Sequence, residues 1–332
     1  MKKLVDKIIV IEYNELEEYI PKFPINKRFG LVVHLNNIKY EFLLNLKESS
    51  DNILVLSPSA LNGDKIEKFS NRPFFSRHSW NFNESTIYFE DPTRYLYSLK
   101  CGWGIGTSEE WFLKNILDII LKISQYFNIP NEKLIFYGSS SGGFTSMQLA
   151  TLVKDSLAIA DCPQTDLRQW CYYWQKLKNT IFSQFTDEEI NIKFAYRISI
   201  IDSIIKENYV PKVIFISTLN ENDVLSQTLP FIEQLNKLPF KNNSFSRIKI
   251  LINPADEHGA LNRKNIFKLL KTIDYLENRK NTLNLLDDKQ KEINSLKKRN
   301  EYLENQNNSI INSNSWKLTY IFRKLGKILR RI

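Results

Sequence analysis

Short, almost continuously apolar segments alternate with helical patterns from residue 52 to residue 252, and this alternation constrains the fold most. Such segments are typical of strands covered by helices on both faces. Glu109–Phe127 and Gly142–Lys154 have apolar residues at three- and four-residue spacings, which predicts helices between strands. Strands joined by helices form a mostly parallel sheet, so the sequence predicts an α/β fold. The predicted strands are Asn52–Ser57, Ser85–Phe89, Lys133–Tyr137, Ser156–Ala160, Lys212–Ser217 and Ile248–Ile252.

Two further regions surround or interrupt this pattern. Residues 1–50 are predicted to be an N-terminal β region, in which Asn36-Asn37 forms a hairpin turn. The α/β domain is expected to span 51–279, with a last helix from about Ala260 to Arg279. Within it, 166–207 is aromatic-rich and helix-like, which favours a helical cap over the sheet. Ordinary crossover helices are the alternative interpretation.

A heptad pattern occupies 280–312. Leu286, Ile293, Asn300 and Asn307 are seven residues apart, and Leu296, Leu303 and Ile310 occupy the other core position. The pattern predicts a short coiled coil, and hence a possible homo-oligomer, or a single exposed helical stalk.

The excess of positive charge lies at the C-terminus. The formal net charge is +9, and from Asn305 onward there are six basic residues and no acidic ones. In 313–332, apolar residues share one helical face and basic residues lie largely opposite, which predicts a helix on an anionic membrane surface. Docking of this tail on the protein itself is the alternative. Because no nucleic-acid-binding pattern accompanies the charge, a nucleic-acid partner is not expected.

The composition fits a soluble globular chain, expected in the cytoplasm and peripherally at the inner face of the cell membrane. Apolar residues make up 42% and charged residues 25% of the sequence. The three cysteines lack CxxC spacing, which favours reduced, buried thiols. The three histidines have unrelated spacings, so no metal site is predicted. The glycines of 102–106 do not have the dinucleotide-binding spacing, and no cofactor is expected.

The motif that indicates a catalytic site is Gly138-Ser139-Ser140-Ser141-Gly142. It lies between a predicted strand and a predicted helix, where Gly-x-Ser-x-Gly forms the sharp turn that exposes a nucleophilic serine. The residues two before and two after the serine pack together, so both must lack side chains. Ser140 is therefore the candidate nucleophile, and a glycine-rich packing turn is the alternative.

A serine nucleophile needs a base and an acid that orients the base. In the α/β-hydrolase fold these follow the nucleophile in the order acid, histidine. His258 follows the last predicted strand and is the candidate base. The loop after Ser217 offers Asp223, the favoured acid, and Glu221, while Asp161 after the preceding strand is a third possibility.

Acyl chemistry also needs hydrogen-bond donors for the developing oxyanion. One is expected from the backbone N–H of Ser141, next after the nucleophile. The second is expected from the loop that follows the Asn52–Ser57 strand. Because Pro58 has no N–H, Ser59 or Ala60 must supply it.

Several stretches together resemble α/β-hydrolase-like proteins of bacterial capsule and surface-polysaccharide biosynthesis, and the related accessory-secretion glycan O-acetyltransferases. The resemblance covers roughly 50–275 and rests on Phe74–Trp80, Glu90–Thr93, Gly102–Gly106, Gly138–Gly143 and Asp161–Thr165. It agrees with an α/β-hydrolase-type sheet, to which the residue patterns above add an N-terminal β region, a helical cap and a C-terminal stalk. It also implies acyl transfer from a small acyl donor through Ser140 to a glycan acceptor, or hydrolysis, with His258 as base.

The resemblance bears on further residues. The acid of the secretion-linked relatives is a glutamate, which keeps Glu221 as the alternative to Asp223. These relatives tend to have glycine where this chain has Ser59. Arg77, Asp91 and Trp103 lie in loops expected near the carboxyl ends of the strands, where they are candidates for substrate binding. For Trp103, core packing is the alternative to sugar stacking. A second hypothesis for the whole chain is a non-catalytic hydrolase-fold scaffold in a membrane-associated capsule-assembly complex.

Overall fold

The computed structural model describes Met1, residues 4–69, 72–239 and 247–313, and Thr319. The chain divides into two compact units at residues 263 and 264. The predicted amphipathic tail, 313–332, lies outside the described residues except for Ser313 and Thr319.

In the described part of the first unit, nine strands form one sheet in the order β1-β2-β3-β5-β4-β6-β7-β8-β9. Neighbouring strands are parallel except for the β2–β3 and β3–β5 pairs, which are antiparallel. The strands are β1 Ile8–Glu12, β2 Arg28–Leu35, β3 Ile38–Asn45, β4 Ile53–Leu56, β5 Ser85–Phe89, β6 Leu134–Ser139, β7 Leu157–Asp161, β8 Lys212–Thr218 and β9 Ile248–Asn253.

These strands confirm the predicted α/β class, because each apolar run found in the sequence is a strand of the sheet. The run 134–139 is buried along its whole length, as expected for a central strand covered on both faces. Asn36 and Asn37 both have positive φ, 51° and 63°, and form the predicted tight turn between β2 and β3.

The helices cover both faces of this sheet. Helix α4 buries a stripe that includes Phe112, Ile116 and Ile120, and α5 is buried along almost all of its length. The helices are α1 Leu16–Tyr19, α2 Lys65–Lys68, α3 Pro92–Leu96, α4 Phe112–Tyr126, α5 Ser141–Leu152, α6 Cys171–Ile181, α7 Asp187–Lys193, α8 Ala195–Ile198, α9 Ile200–Glu207, α10 Glu221–Asp223, α11 Leu229–Asn236 and α12 Arg263–Asn312.

The region predicted to be a cap lies between β7 and β8 and contains α6 to α9. Helix α9 packs against α5, as a crossover helix does. The preceding segment carries Trp170 and Tyr173, which line a cleft at the carboxyl edge of the sheet. The predicted cap region therefore contributes part of the wall of this cleft.

The second unit contains most of α12, a single helix from Arg263 to Asn312. It runs without interruption through both the predicted last helix and the predicted stalk. No helix among the described residues has the length and apolar character needed to span a membrane.

Candidate active site

Ser140 lies at a sharp turn between β6 and α5. Its backbone is strained, with φ 53° and ψ −117°. A Cβ atom on Gly138 would lie 2.4 Å from the carbonyl of Gly142, and one on Gly142 would lie 2.9 Å from the carbonyl oxygen of Pro58. Both glycines are therefore sterically required, and the turn presents Ser140 above the carboxyl edge of the sheet.

A continuous hydrogen-bonded chain joins Ser140, His258 and Asp223. His258 Nε2 lies 3.0 Å from Ser140 Oγ, and its Nδ1 lies 2.9 and 2.8 Å from the two carboxylate oxygens of Asp223. Because a carboxylate only accepts, Nδ1 carries the proton and Nε2 is free to accept the serine proton. These residues follow β6, β9 and β8, whose carboxyl ends meet at one edge of the sheet.

Asp223 is held in place by its own hydrogen bonds. Thr218 Oγ1 donates to Asp223 Oδ2 at 2.7 Å, and the backbone N–H of Asp223 donates to the side chain of Asn220 at 3.2 Å. The side chain of Asp223 is 9% exposed, so water competes little with these contacts. The carboxylate therefore fixes both the tautomer and the orientation of His258.

The two alternative acids lie elsewhere. Glu221 is exposed, whereas Nδ1 of His258 is bonded to Asp223. Asp161 is fully buried and its Oδ2 accepts the backbone N–H of Leu261 at 2.9 Å. Burial raises the pKa of Asp161 to about 6, although the Arg77 charge lowers it. Asp161 thus anchors the segment after His258.

The candidate oxyanion donors surround Ser140. Ser141 is the first residue of α5, so its backbone N–H has no partner within the helix. The backbone N–H of Ser59 is already engaged, since it donates to Ser76 Oγ at 3.1 Å. The N–H of Ala60 has no hydrogen-bond partner among the described residues, and Ala60 lines the same cleft as Ser140. Of the two predicted loop donors, Ala60 is the one available.

Ser140 opens onto a cleft of about 290 Å³. Aromatic side chains form much of its wall: Trp103, Trp170 and Tyr173 line it, and the ring of Trp170 lies 5.7 Å from that of His258. The other lining residues are largely polar and include Asn62, Lys100 and Gln164, so the cleft offers both flat apolar surface and hydrogen-bonding groups.

Gln164 has no role in the sequence-based prediction, yet its side chain contacts the nucleophile. Its Nε2 donates to Ser140 Oγ at 3.0 Å, and its Oε1 accepts from Nε1 of Trp103 at 3.2 Å. Gln164 follows β7, which lies beside β6 in the sheet. Two sequence signals could have indicated this contact: the position of Gln164 after a strand, and its place in the Asp161–Thr165 stretch.

Arg77 and Asp91 lie outside the set of described residues that line the cleft. Arg77 donates to Ser59 Oγ and Ser139 Oγ at 3.1 and 2.6 Å. Asp91 is buried and accepts the backbone N–H groups of Thr93 and Gly104. Arg77 and Asp91 therefore make contacts that hold the loops around the cleft. Of the three predicted substrate-binding residues, Trp103 is the one that lines the cleft wall.

The thiols near Ser140 are not poised for reaction. Cys101 and Cys162 line the cleft, and both are free. Burial raises the pKa of the Cys162 thiol to about 12 and also raises that of Cys101. Since the thiolate is the nucleophilic form, neither competes with Ser140 at neutral pH.

No family model and no curated protein matches the sequence. Similar solved structures include FphF, a fluorophosphonate-binding serine hydrolase of Staphylococcus aureus, at 12% identity, 75% coverage of this chain, 97% coverage of that chain and TM-score 0.48. The capsule O-acetyltransferase of Neisseria meningitidis serogroup A has 17% identity, coverage of 71% and 95%, and TM-score 0.45. The glycosylation-associated Gap123 complex of Streptococcus agalactiae has 16% identity, coverage of 68% and 42%, and TM-score 0.47. At this level of similarity, the α/β-hydrolase-type fold of this chain is assigned from its own strand order and serine turn.

Proposed function

We propose that the protein is a serine acyltransferase or esterase that acts on a bacterial surface polysaccharide. The observation that carries the reaction class is the chain of hydrogen bonds from Ser140 through His258 to Asp223. The polysaccharide as substrate is inferred from the resemblance of the sequence motifs around the site to proteins of surface-polysaccharide biosynthesis. The aromatic cleft wall is compatible with a sugar ring, since such walls bind flat apolar faces.

In the first half-reaction, the Oγ of Ser140 attacks the carbonyl carbon of the acyl donor while its proton moves to Nε2 of His258. The developing oxyanion accepts hydrogen bonds from the backbone N–H groups of Ser141 and Ala60. When the intermediate collapses, His258 donates the proton to the leaving group. The products are an ester on Ser140 and the released donor fragment.

In the second half-reaction, a sugar hydroxyl or a water molecule enters the cleft. His258 accepts its proton as its oxygen attacks the ester carbonyl, and the same two N–H groups bind the oxyanion. Collapse returns the proton to Ser140 Oγ and releases the acylated sugar or the free acid. Asp223 stabilises the imidazolium of His258 in both halves.

The proposal is tested by the acyl content of the surface polysaccharide in a strain that carries Ser140→Ala. We expect polymer of normal amount that lacks one acyl substituent. Unchanged acylation would refute the enzymatic function. The scaffold alternative predicts that Ser140→Ala changes nothing and that deletion of 280–332 disrupts polysaccharide assembly.

The proposed location is the inner face of the cell membrane. This location is inferred from the sequence of 313–332. In the helix predicted for that segment, the basic residues lie largely opposite the apolar face.

A further inference from the structure

We propose that Gln164 sets the direction of the Ser140 hydroxyl, and that Trp103 in turn sets the direction of Gln164. Gln164 is then a positioning residue, and its function is to leave His258 as the one acceptor for the serine proton. This inference rests on the proposed role of Ser140 as nucleophile.

The two hydrogen bonds that join Trp103, Gln164 and Ser140 each have a fixed direction. The indole N–H of Trp103 can only donate, so the amide oxygen of Gln164 must face Trp103 and its NH₂ must face Ser140. Ser140 Oγ therefore accepts from Gln164. Its own proton must point to its other hydrogen-bond partner, Nε2 of His258.

Burial makes this arrangement persistent. Gln164 is 3% exposed and Trp103 is 6% exposed, so water does not easily replace either contact. The backbone on both sides of Gln164 is also tied down. Cys162 N–H donates to the carbonyl of Ile216, and Thr165 N–H donates to the side chain of Gln227 at 2.7 Å. A flip of the amide would place its NH₂ against the indole N–H of Trp103, two donors facing each other, and its oxygen would draw the Ser140 proton away from His258.

The test compares Gln164→Met with Gln164→Glu by the second-order rate of inactivation with a fluorophosphonate probe. Methionine removes the donor and frees the hydroxyl to occupy three staggered positions, for an expected loss of about threefold. The introduced carboxylate has the glutamine shape but can only accept, so it draws the serine proton away from His258. We expect a loss of about 10- to 100-fold, from the strength of a hydrogen bond to a charged group.

Two further measurements separate positioning from a merely structural role. The rate of Gln164→Glu relative to the unmodified protein is expected to rise as the pH falls, because the introduced carboxyl becomes a donor when protonated. Trp103→Phe is expected to slow labelling by a few fold, and to add nothing in combination with Gln164→Met. Gln148→Met is the matched control, since this buried glutamine donates to the carbonyl of Tyr196, away from Ser140.

Failure of the positioning role of Gln164 and failure of the nucleophile assignment give different results. If Ser140→Ala still reacts with the probe, the nucleophile assignment is wrong. If Ser140→Ala is inert but Gln164→Glu reacts as fast as Gln164→Met or faster, only the positioning role is refuted.

Independently, we infer that residues 292–311 of α12 form a parallel, in-register coiled coil with a second copy of this chain. Ile293, Leu296, Leu303 and Ile310 occupy heptad core positions and are 45–57% exposed, so the described residues of a single copy leave one apolar stripe of the helix uncovered.

Charges beside this stripe are complementary between two copies of the helix. In a parallel, in-register pair, Glu292 lies opposite Lys297 of the other copy, and Arg299 lies opposite Glu304. Each pair occurs twice by symmetry, and both combine opposite charges. A copy of the same helix is therefore a complementary partner.

Two asparagines on the stripe favour the same geometry. In a parallel pair, Asn300 and Asn307 each face the same residue of the other copy, where the amides can bond to each other. In an antiparallel pair these positions face the other core position, which holds leucine or isoleucine, and each amide would be buried without a partner.

The test uses the full chain with Asn300→Cys, at the core, and Asn305→Cys, on the outer face of the same helix. Under mild oxidation we expect a disulfide-linked dimer with Asn300→Cys, and only the background of the unmodified protein with Asn305→Cys. A monomeric mass by light scattering at tens of micromolar, or equal cross-linking of both variants, would overturn the inference. Lys297→Glu should weaken association about tenfold, whereas Lys298→Glu on the outer face should not.

Discussion

Asp161→Asn should increase the stability of the protein at neutral pH while leaving it unchanged in acid. Asp161 is fully buried, one of its oxygens accepts from Leu261, and Oδ1 has no hydrogen-bond partner among the described residues. Its pKa is about 6 in the folded protein, against an ordinary value of 3.8, because burial disfavours the charged form.

The sign of the change in stability follows from proton binding by Asp161. Between pH 3.8 and about 6 the folded state holds a proton on Asp161 that the unfolded state releases, so stability falls as the pH rises through this range. Each pKa unit corresponds to ~1.4 kcal/mol, so full ionisation costs the folded state about 3 kcal/mol. Asparagine cannot ionise, and its oxygen can still accept from Leu261.

The assay is urea unfolding of the two proteins at several pH values from 4 to 8. We expect the difference in unfolding free energy to grow from near zero at the acid end to about 3 kcal/mol at pH 7 and above. Asp256→Asn, which removes an exposed carboxylate, is the control and should change the unfolding free energy little. A constant difference between the proteins across the range would refute this reasoning.

Three further outcomes are expected. Asp223→Asn should slow fluorophosphonate labelling by about 10²- to 10⁴-fold, whereas Glu221→Gln should label at the rate of the unmodified protein. Gly138→Ala, whose Cβ would meet the carbonyl of Gly142, should lose labelling and lower the unfolding free energy measured in urea by about 1–3 kcal/mol or more. A chain truncated after Asn312 should no longer float with anionic liposomes, and flotation of that chain would contradict the membrane role of the tail.

The sheet could be predicted from sequence because its signal is local. Each strand is a short apolar run with polar or glycine-rich flanks, such as the one before Gly138, and a run of this kind has few alternatives once helical patterns separate it from the next. The serine turn is equally local, since its two glycines follow from a steric requirement within five residues.

The remaining features depend on which loops meet at the edge of the sheet. Sequence order could not separate Asp223 from Glu221, which are two residues apart after β8 and differ in burial only in the folded chain. The contact of Gln164 with Ser140, and the engagement of the Ser59 N–H by Ser76, join residues 24 and 17 positions apart. Such contacts have no periodic signal, so the structure was needed to find them.

The end of the last helix of the α/β region could not be predicted, for a different reason. Helical periodicity continues from the α/β region into the heptads without glycine or proline, so no stop signal marks residue 279. The structure accordingly has one helix from Arg263 to Asn312.

The central claim is that Ser140 is a nucleophile activated by His258. Its most direct test is labelling of the purified full chain with a fluorophosphonate probe, followed by mass spectrometry of the modified peptide. We expect one adduct on Ser140, formed by the unmodified protein and absent from a folded Ser140→Ala variant. An unmodified protein that does not react, or an adduct that persists in Ser140→Ala, would contradict it.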